Sequence, residues 1–260
     1  MLRDNDNFKN LKPRVVSIGP FHAKNSNLQV TKWMKLKLAA LFIKDSGIDR
    51  NGLYKTIVEK IADFKGCYTD EAIEGYNNDQ ELAYIFRVDG CAILHYMIIC
   101  AFETEVRDDM LKQLKIKKDI MALVQQDVFL SDNQLPYELL EHLMGLSNKH
   151  YEEKELKHSL EKFILDSINA PPDLYEANQK NYQKAWTIPR WKDKKPLHLL
   201  NLLRTTLIQP DNEKDASLVT ILVRERSQKQ KFNGALTSKK KHVWHASFTI
   251  LRSLKQLESI

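Results

Sequence analysis

The sequence predicts a mainly α fold, an irregular multi-helix bundle with one short extended segment near its N-terminus and at most minor β content near residues 217–223. Three observations lead there. The 260-residue chain holds only eight Gly and eight Pro, against roughly 18 and 13 at average usage, so it is poor in the turns that a many-stranded fold needs. Apolar residues recur at helical spacing through most of its length. Hydrophobic residues make up 43% and charged residues 28%, the balance of a chain able to bury a core.

Each element follows in order. Pro13-Arg14-Val15-Val16-Ser17-Ile18 is a β-branched run closed by Gly19-Pro20, which reads as an extended segment ending in a turn. From Leu28 to Ile43, apolar Val30, Trp33, Met34, Leu38, Leu41 and Phe42 alternate with lysines, so an amphipathic helix is expected. Gly47 and Gly52 bracket a break before a second helix, Leu53 to Phe64. Asn77-Asn78-Asp79 offers short polar caps for a helix start, and Ala83 to Phe102 is apolar nearly all round, as in a central helix. Met110 to Leu130 reads as one further helix, and Ser131-Asp132-Asn133 as a turn. Pro136 suits a first helical position, with an apolar face ending at Gly145. Glu155 to Ile168 is amphipathic until Pro171-Pro172 stops it. Residues 173–195 read as a long loop with a helical turn, and Leu197 to Ile208 as a leucine-rich helix.

The net charge is +6 with pI about 9.0, but it is uneven. Ser217 to Ile260 carries nine Lys or Arg against two Asp or Glu, a net of +7 that leaves −1 for residues 1–216. This divides the chain into a helical domain, 1–216, and a basic segment, 217–260. In the latter, 217–223 could be a strand, 227–241 a polar loop and 244–257 a weak helix.

The same sequence excludes several chemistries. The glycines are isolated, so no phosphate-cradling loop and no nucleophile elbow can be drawn. Three cysteines, Cys67, Cys91 and Cys100, give no disulfide framework. Residues 1–12 lack an apolar signal core, and the apolar stretch Cys91 to Phe102 is too short for a membrane span. A soluble chain in a reducing, cytoplasmic setting is expected. Cys91 and His95 lie four apart on one helix but lack two further ligands, so core packing is the better reading. Asp108-Asp109 is followed by Lys112, which would oppose a bound magnesium, so a solvated face is expected. Asp4 and Asp6 make no calcium loop, because Phe8 takes a ligand position. Lys239-Lys240-Lys241, beside His242 and His245, could bind anions or an anionic membrane surface, although no interleaved aromatic platform or zinc finger accompanies them to favour nucleic acid. Asp89 and the Asp132-Asn133-Gln134 cluster sit within apolar surroundings and are expected to satisfy backbone groups in the core. A catalytic pocket near Asp89, Asn133 and Gln134 is the alternative. No catalytic residue, cofactor, metal site or small-molecule substrate can be assigned.

Several segments together resemble the plant family known as domain of unknown function 247, or uncharacterised protein family 0481. Pro13 through Phe21-His22 matches its P-x-V-V-S-I-G-P-Y-H signature, with Ser17, Ile18, Gly19, Pro20 and His22 in place, while Ala23 and Lys24 replace a usual His and Gly. In the following L-x-x-M-E-x-x-K element Lys35 matches, and Thr31 and Lys32 replace Met and Glu. Cys67-Tyr68 and Val88-Asp89-Gly90-Cys91 resemble the family's C-Y and D-G-C-F-I-L, with Ala92 for Phe. Asp127 to Leu140 resembles D-x-x-L-L-E-N-Q-I-P-F-F-V-L, sharing Asn133, Gln134 and Pro136 with Asp132 in place of Glu. Leu197-His198 through Arg204 resembles H-L-L-D-L-L-R, and Arg252 to Leu257 resembles R-S-A-x-E-L. The resemblance implies a truncated or divergent member, because the family continues with short strands, further helices and a C-terminal transmembrane helix. It also implies no established catalysis, membrane association, and for some relatives a recognition role in self-incompatibility. A non-enzymatic scaffold for protein recognition or signalling is therefore the expectation.

Overall fold

The computed structural model describes residues 12–147, 150–168 and 195–208. Among the described residues there are ten α-helices and no strand: α1 (Lys32–Ser46), α2 (Arg50–Glu59), α3 (Ile61–Lys65), α4 (Asp70–Ile73), α5 (Asp79–Ala101), α6 (Thr104–Leu114), α7 (Lys118–Asp127), α8 (Tyr137–Gly145), α9 (Glu153–Ile168) and α10 (Leu199–Ile208). A 3₁₀ turn over Ser26–Thr31 leads into α1. The expected segments at 173–194, 217–223, 227–241 and 244–257, and the 217–260 domain division, lie outside the described residues.

The helix ends follow from capping chemistry. The Asn78 side chain accepts from the Glu81 N–H at 2.9 Å and starts α5. Asp49 likewise accepts from the Gly52 N–H at 2.6 Å. That places Gly52 inside α2 rather than in a break, because the cap lies upstream of it. Gly47 closes α1 in the left-handed conformation. At α10, His198 Nδ1 accepts from the Asn201 N–H at 3.1 Å, while Asn201 Oδ1 accepts from the Leu197 N–H, also at 3.1 Å. This is a reciprocal cap in which His198 takes the role usually held by Ser or Asp.

Three further expectations need correction. Leu53 to Phe64 is not one helix, because the backbone leaves helical geometry at Lys60 (φ −102°, ψ 10°) and divides α2 from α3. The stretch from Met110 to Leu130 is not one helix, because Lys115 turns left-handed at φ 58° and its N–H bonds back to Leu111 and Lys112. Periodicity on either side hid a break that contains neither Gly nor Pro. Pro136 is the residue before α8, with extended ψ of 133°, rather than its first helical position.

Helix α5 is the axis of the bundle and packs against α1, α2, α8 and α9. It is longer than the apolar run suggested. By length and composition it could cross a membrane, but 83% of its apolar window is buried inside this fold, as expected of a core helix. Phe42, Leu53, Ile57, Phe64, Phe86, Leu94 and Phe163 fill the interior around it. Tyr96 and Phe129 meet Phe163 with ring centroids 5.6 Å away, an aromatic cluster joining α5 to α9. Cys91 and His95 both lie in this core. Burial pushes the Cys91 thiol up to about 12. Asp108 and Asp109 pair with Lys118 and Lys112 on the surface, the solvated face that was expected.

Gly90 sets the distance between α5 and α8, because a Cβ there would collide with the Leu143 side chain. Gly90→Val is expected to cost about 2 kcal/mol by overpacking, measured by urea unfolding. Gly145→Ala, with nothing close to its added carbon, is the control and should be neutral or slightly stabilising. Burial lowers the pKa of His95 from 6.5 to about 4, and of His198 similarly. The unfolded chain therefore binds more protons between these values, and stability falls as the pH drops from about 6.5 to about 4. His95 is 2% exposed, so its share is on the order of 3 kcal/mol. Urea midpoints measured across this window should change less steeply in His95→Leu than in the parent chain.

Candidate functional site

Residues 13–20 cross the bundle as an irregular segment, not the extended run that was expected: it bends at Arg14-Val15 and again at Gly19-Pro20, and among the described residues no strand supplies its hydrogen bonds. Side chains from distant helices and turns do so instead, forming a clamp around what is in effect a strap. The Asp127 carboxylate, at the end of α7, accepts from three consecutive backbone N–H groups. These are Arg14 at 3.0 and 3.1 Å, Val15 at 2.8 Å and Val16 at 2.9 Å. Asn133 Oδ1 accepts from the Ile18 N–H at 2.7 Å, while its Nδ2 donates to the Val16 carbonyl at 3.1 Å and the Asp127 carbonyl at 2.9 Å. Asp89 Oδ2 accepts from the Gly19 N–H at 3.0 Å. The Lys35 ammonium donates to Asp89 Oδ1 at 2.6 Å, the Ser17 carbonyl at 2.7 Å and the Ser17 hydroxyl at 3.2 Å. Thr31 donates to the Val15 carbonyl and Tyr76 to the Pro20 carbonyl at 2.7 Å.

The clamp is itself held in place. Gln134 Nε2 donates to the Val128 and Leu130 carbonyls at 2.6 and 2.7 Å, and its Oε1 accepts from the Leu200 N–H at 3.2 Å. One amide thus fixes the turn after α7 and ties it to α10. The Gln134 carbonyl accepts from the Tyr68 hydroxyl at 3.0 Å, and the Tyr68 ring stacks on Phe86 of α5. Gly19 stands over the same carbonyl with φ at 75°. A Cβ there would strike Gln134 O, and the backbone conformation itself disfavours any side chain.

The buried carboxylates are therefore committed inside the fold. Burial pushes the Asp89 carboxyl above its usual range, and Lys35 and the Gly19 N–H pull it back. Burial also raises Asp127, against the pull of the Val15, Val16 and Arg14 N–H groups. A raised folded value means that these two groups contribute stability at acid pH that is lost as the pH rises through it, the opposite sense to the two histidines. Burial and the nearby Asp89 charge raise Tyr68 well above 10.

Most family-signature residues named from sequence converge here: Ser17, Ile18, Gly19, Pro20, Lys35, Tyr68, Asp89, Asp127, Asn133 and Gln134. Others do not. His22 stacks edge-on against Phe21. Cys67 is exposed beside α3. Gly90 and Cys91 serve helix packing, Pro136 leads α8, and His198 caps α10. The Arg204 Nε is buried with no partner among the described residues. Asp132 is exposed and takes no part in the buried cluster, because it sits at the outer tip of its turn. Lys239, Lys240 and Lys241 lie outside the described residues. Sequence reasoning missed two anchors. Thr31 lies four residues before Lys35, a spacing that puts both on one helix face, whereas Tyr76 carried no signal.

Beside the clamp lies a cleft of about 490 Å³ between the strap, α1 and the first turns of α5. Asp89, Lys35 and Ser17 line its floor. Asn133 and Gln134 do not line it, so the three residues of the alternative catalytic pocket do not meet in this cleft.

The plant family of unknown function known as domain of unknown function 247 matches residues 1–260. A UPF0481 protein of Arabidopsis thaliana is 27% identical over 212 residues, covering 80% of this chain and 40% of its own length. The chain thus spans less than half of the curated relative it matches. No solved structure matches it.

Asp127→Asn would set an amide N–H₂ against backbone donors. It is expected to cost about 3 kcal/mol, since buried donors lose their acceptor. Limited trypsin digestion should then cut early after Arg14, where the parent chain resists. Peptide mass mapping reads the difference.

Proposed function

The chain belongs to the plant family known as domain of unknown function 247, and from that premise we infer that it is a non-enzymatic helical scaffold for protein recognition or signalling. The observation that supports this reading is how the shared side chains are used. Asp127, Asn133 and Gln134 are spent on backbone groups of the strap and its supporting turn. The Lys35 ammonium has three donors, and all three are engaged. A general acid or base needs a proton free to move toward a substrate, and this pair is closed on itself. Signature residues that hold one architecture leave the outer helix faces free to differ among relatives, which suits recognition. Placement at the cytoplasmic side of a membrane and a role like that of relatives in self-incompatibility belong to the same proposal.

Affinity capture from plant tissue with the full chain as bait tests it. A saturable partner is expected, reproduced with purified components, and lost with a Gly19→Val bait whose strap cannot seat. No saturable partner, or equal capture by both baits, would count against a folded recognition scaffold, as would substrate turnover abolished by Lys35→Met.

A further inference from the structure

The cleft beside the clamp has the make-up of a ligand site rather than a packing gap. Its volume, about 490 Å³, falls in the usual range of roughly 300–1,000 Å³ for small-molecule pockets. Apolar side chains line it from both helices, Leu28 and Leu36 from the α1 side and Ile85 and Val88 from α5. Leu36 and Tyr84 flank it and remain 39% and 41% exposed.

The charges decide what the cleft would take. On its floor Lys35 and Asp89 neutralise each other at 2.6 Å. That leaves Lys24 and Lys32 facing one carboxylate, Glu81, among the lining residues. Lys32 is exposed and has no ion-pair or hydrogen-bond partner among the described residues. Lys24 lies 4.1 Å over the Tyr76 ring centroid, which holds its charge at the cleft wall. An apolar lining with a surplus of one positive charge complements a molecule with an apolar body and an anionic head.

We propose that this cleft binds a small amphiphilic organic anion, its aliphatic or aromatic body against Leu28, Leu36, Ile85 and Val88 and its acidic head toward Lys24 and Lys32. A peptide is the less fitting occupant. Among the described residues there is no strand edge for an extended peptide to join, and the cavity is compact. Because Ser17, Lys35 and Asp89 form the floor, a bound ligand covers the residues that hold the strap, and its binding stabilises the strap by mass action. The proposal goes beyond the recognition reading and does not depend on it.

Isothermal titration of the full chain with decanoate and with 2-naphthoate tests this, with decylamine as the cationic control and an acidic peptide as a separate arm. At least one carboxylate should bind saturably at one site, and decylamine at least about tenfold more weakly. Lys32→Glu and Leu36→Asp, both at exposed positions, should each weaken that binding about tenfold or more without shifting the thermal midpoint. The proposal is overturned if neither carboxylate saturates below about 1 mM. It is equally overturned if decylamine binds as well, if both variants bind like the parent, or if only the peptide binds. Partner capture, measured separately, would be unaffected by any of these results.

Discussion

The rest of the structure depends on how the strap's backbone is satisfied. An irregular segment buried against helices has no ladder of its own, and each buried N–H or carbonyl left without a partner costs about 1–3 kcal/mol. Here five N–H groups, at residues 14, 15, 16, 18 and 19, find side-chain acceptors. Four carbonyls, at 15, 16, 17 and 20, find side-chain donors. The partners come from the start of α1, the loop before α5, the middle of α5, the end of α7 and the turn after it. One short segment therefore fixes the positions of elements far apart in sequence.

This requirement accounts for polar residues in places that packing alone would not choose. Asp89 sits in the most buried helix of the molecule and is only 2% exposed. Its burial is tolerated because Lys35 and the Gly19 N–H compensate the charge. Among the described residues no lysine or arginine side chain bonds the Asp127 carboxylate, which relies on three converging N–H groups, an arrangement resembling an anion nest filled from within. Gly19 and Gly90 are the matching steric conditions, one letting the strap approach the Gln134 carbonyl and the other letting α5 approach α8.

Much of this was legible in the sequence. Periodicity located most of the helices, and the Asn77-Asn78-Asp79 cluster marked where α5 begins, with Asn78 as its cap. Asp89 and Asn133 stood out as polar groups in apolar runs, and their role as backbone partners followed from burial. Which backbone they served was not legible, because the contacts span up to 117 residues and side-chain spacing carries no information at that range. The break at Lys115 escaped for a different reason, since a lysine at positive φ leaves no compositional mark. Tyr76, in a polar loop, offered nothing to distinguish it from a solvent-exposed aromatic.

Amide hydrogen exchange of the strap in the full chain is the most direct measurement of the central claim. If side chains close its hydrogen bonds, Val15, Val16, Ile18 and Gly19 should exchange as slowly as the core amides of α5, opening only with global unfolding. Exchange of these amides at the rate of an unstructured peptide, while α5 stays protected, would contradict the account.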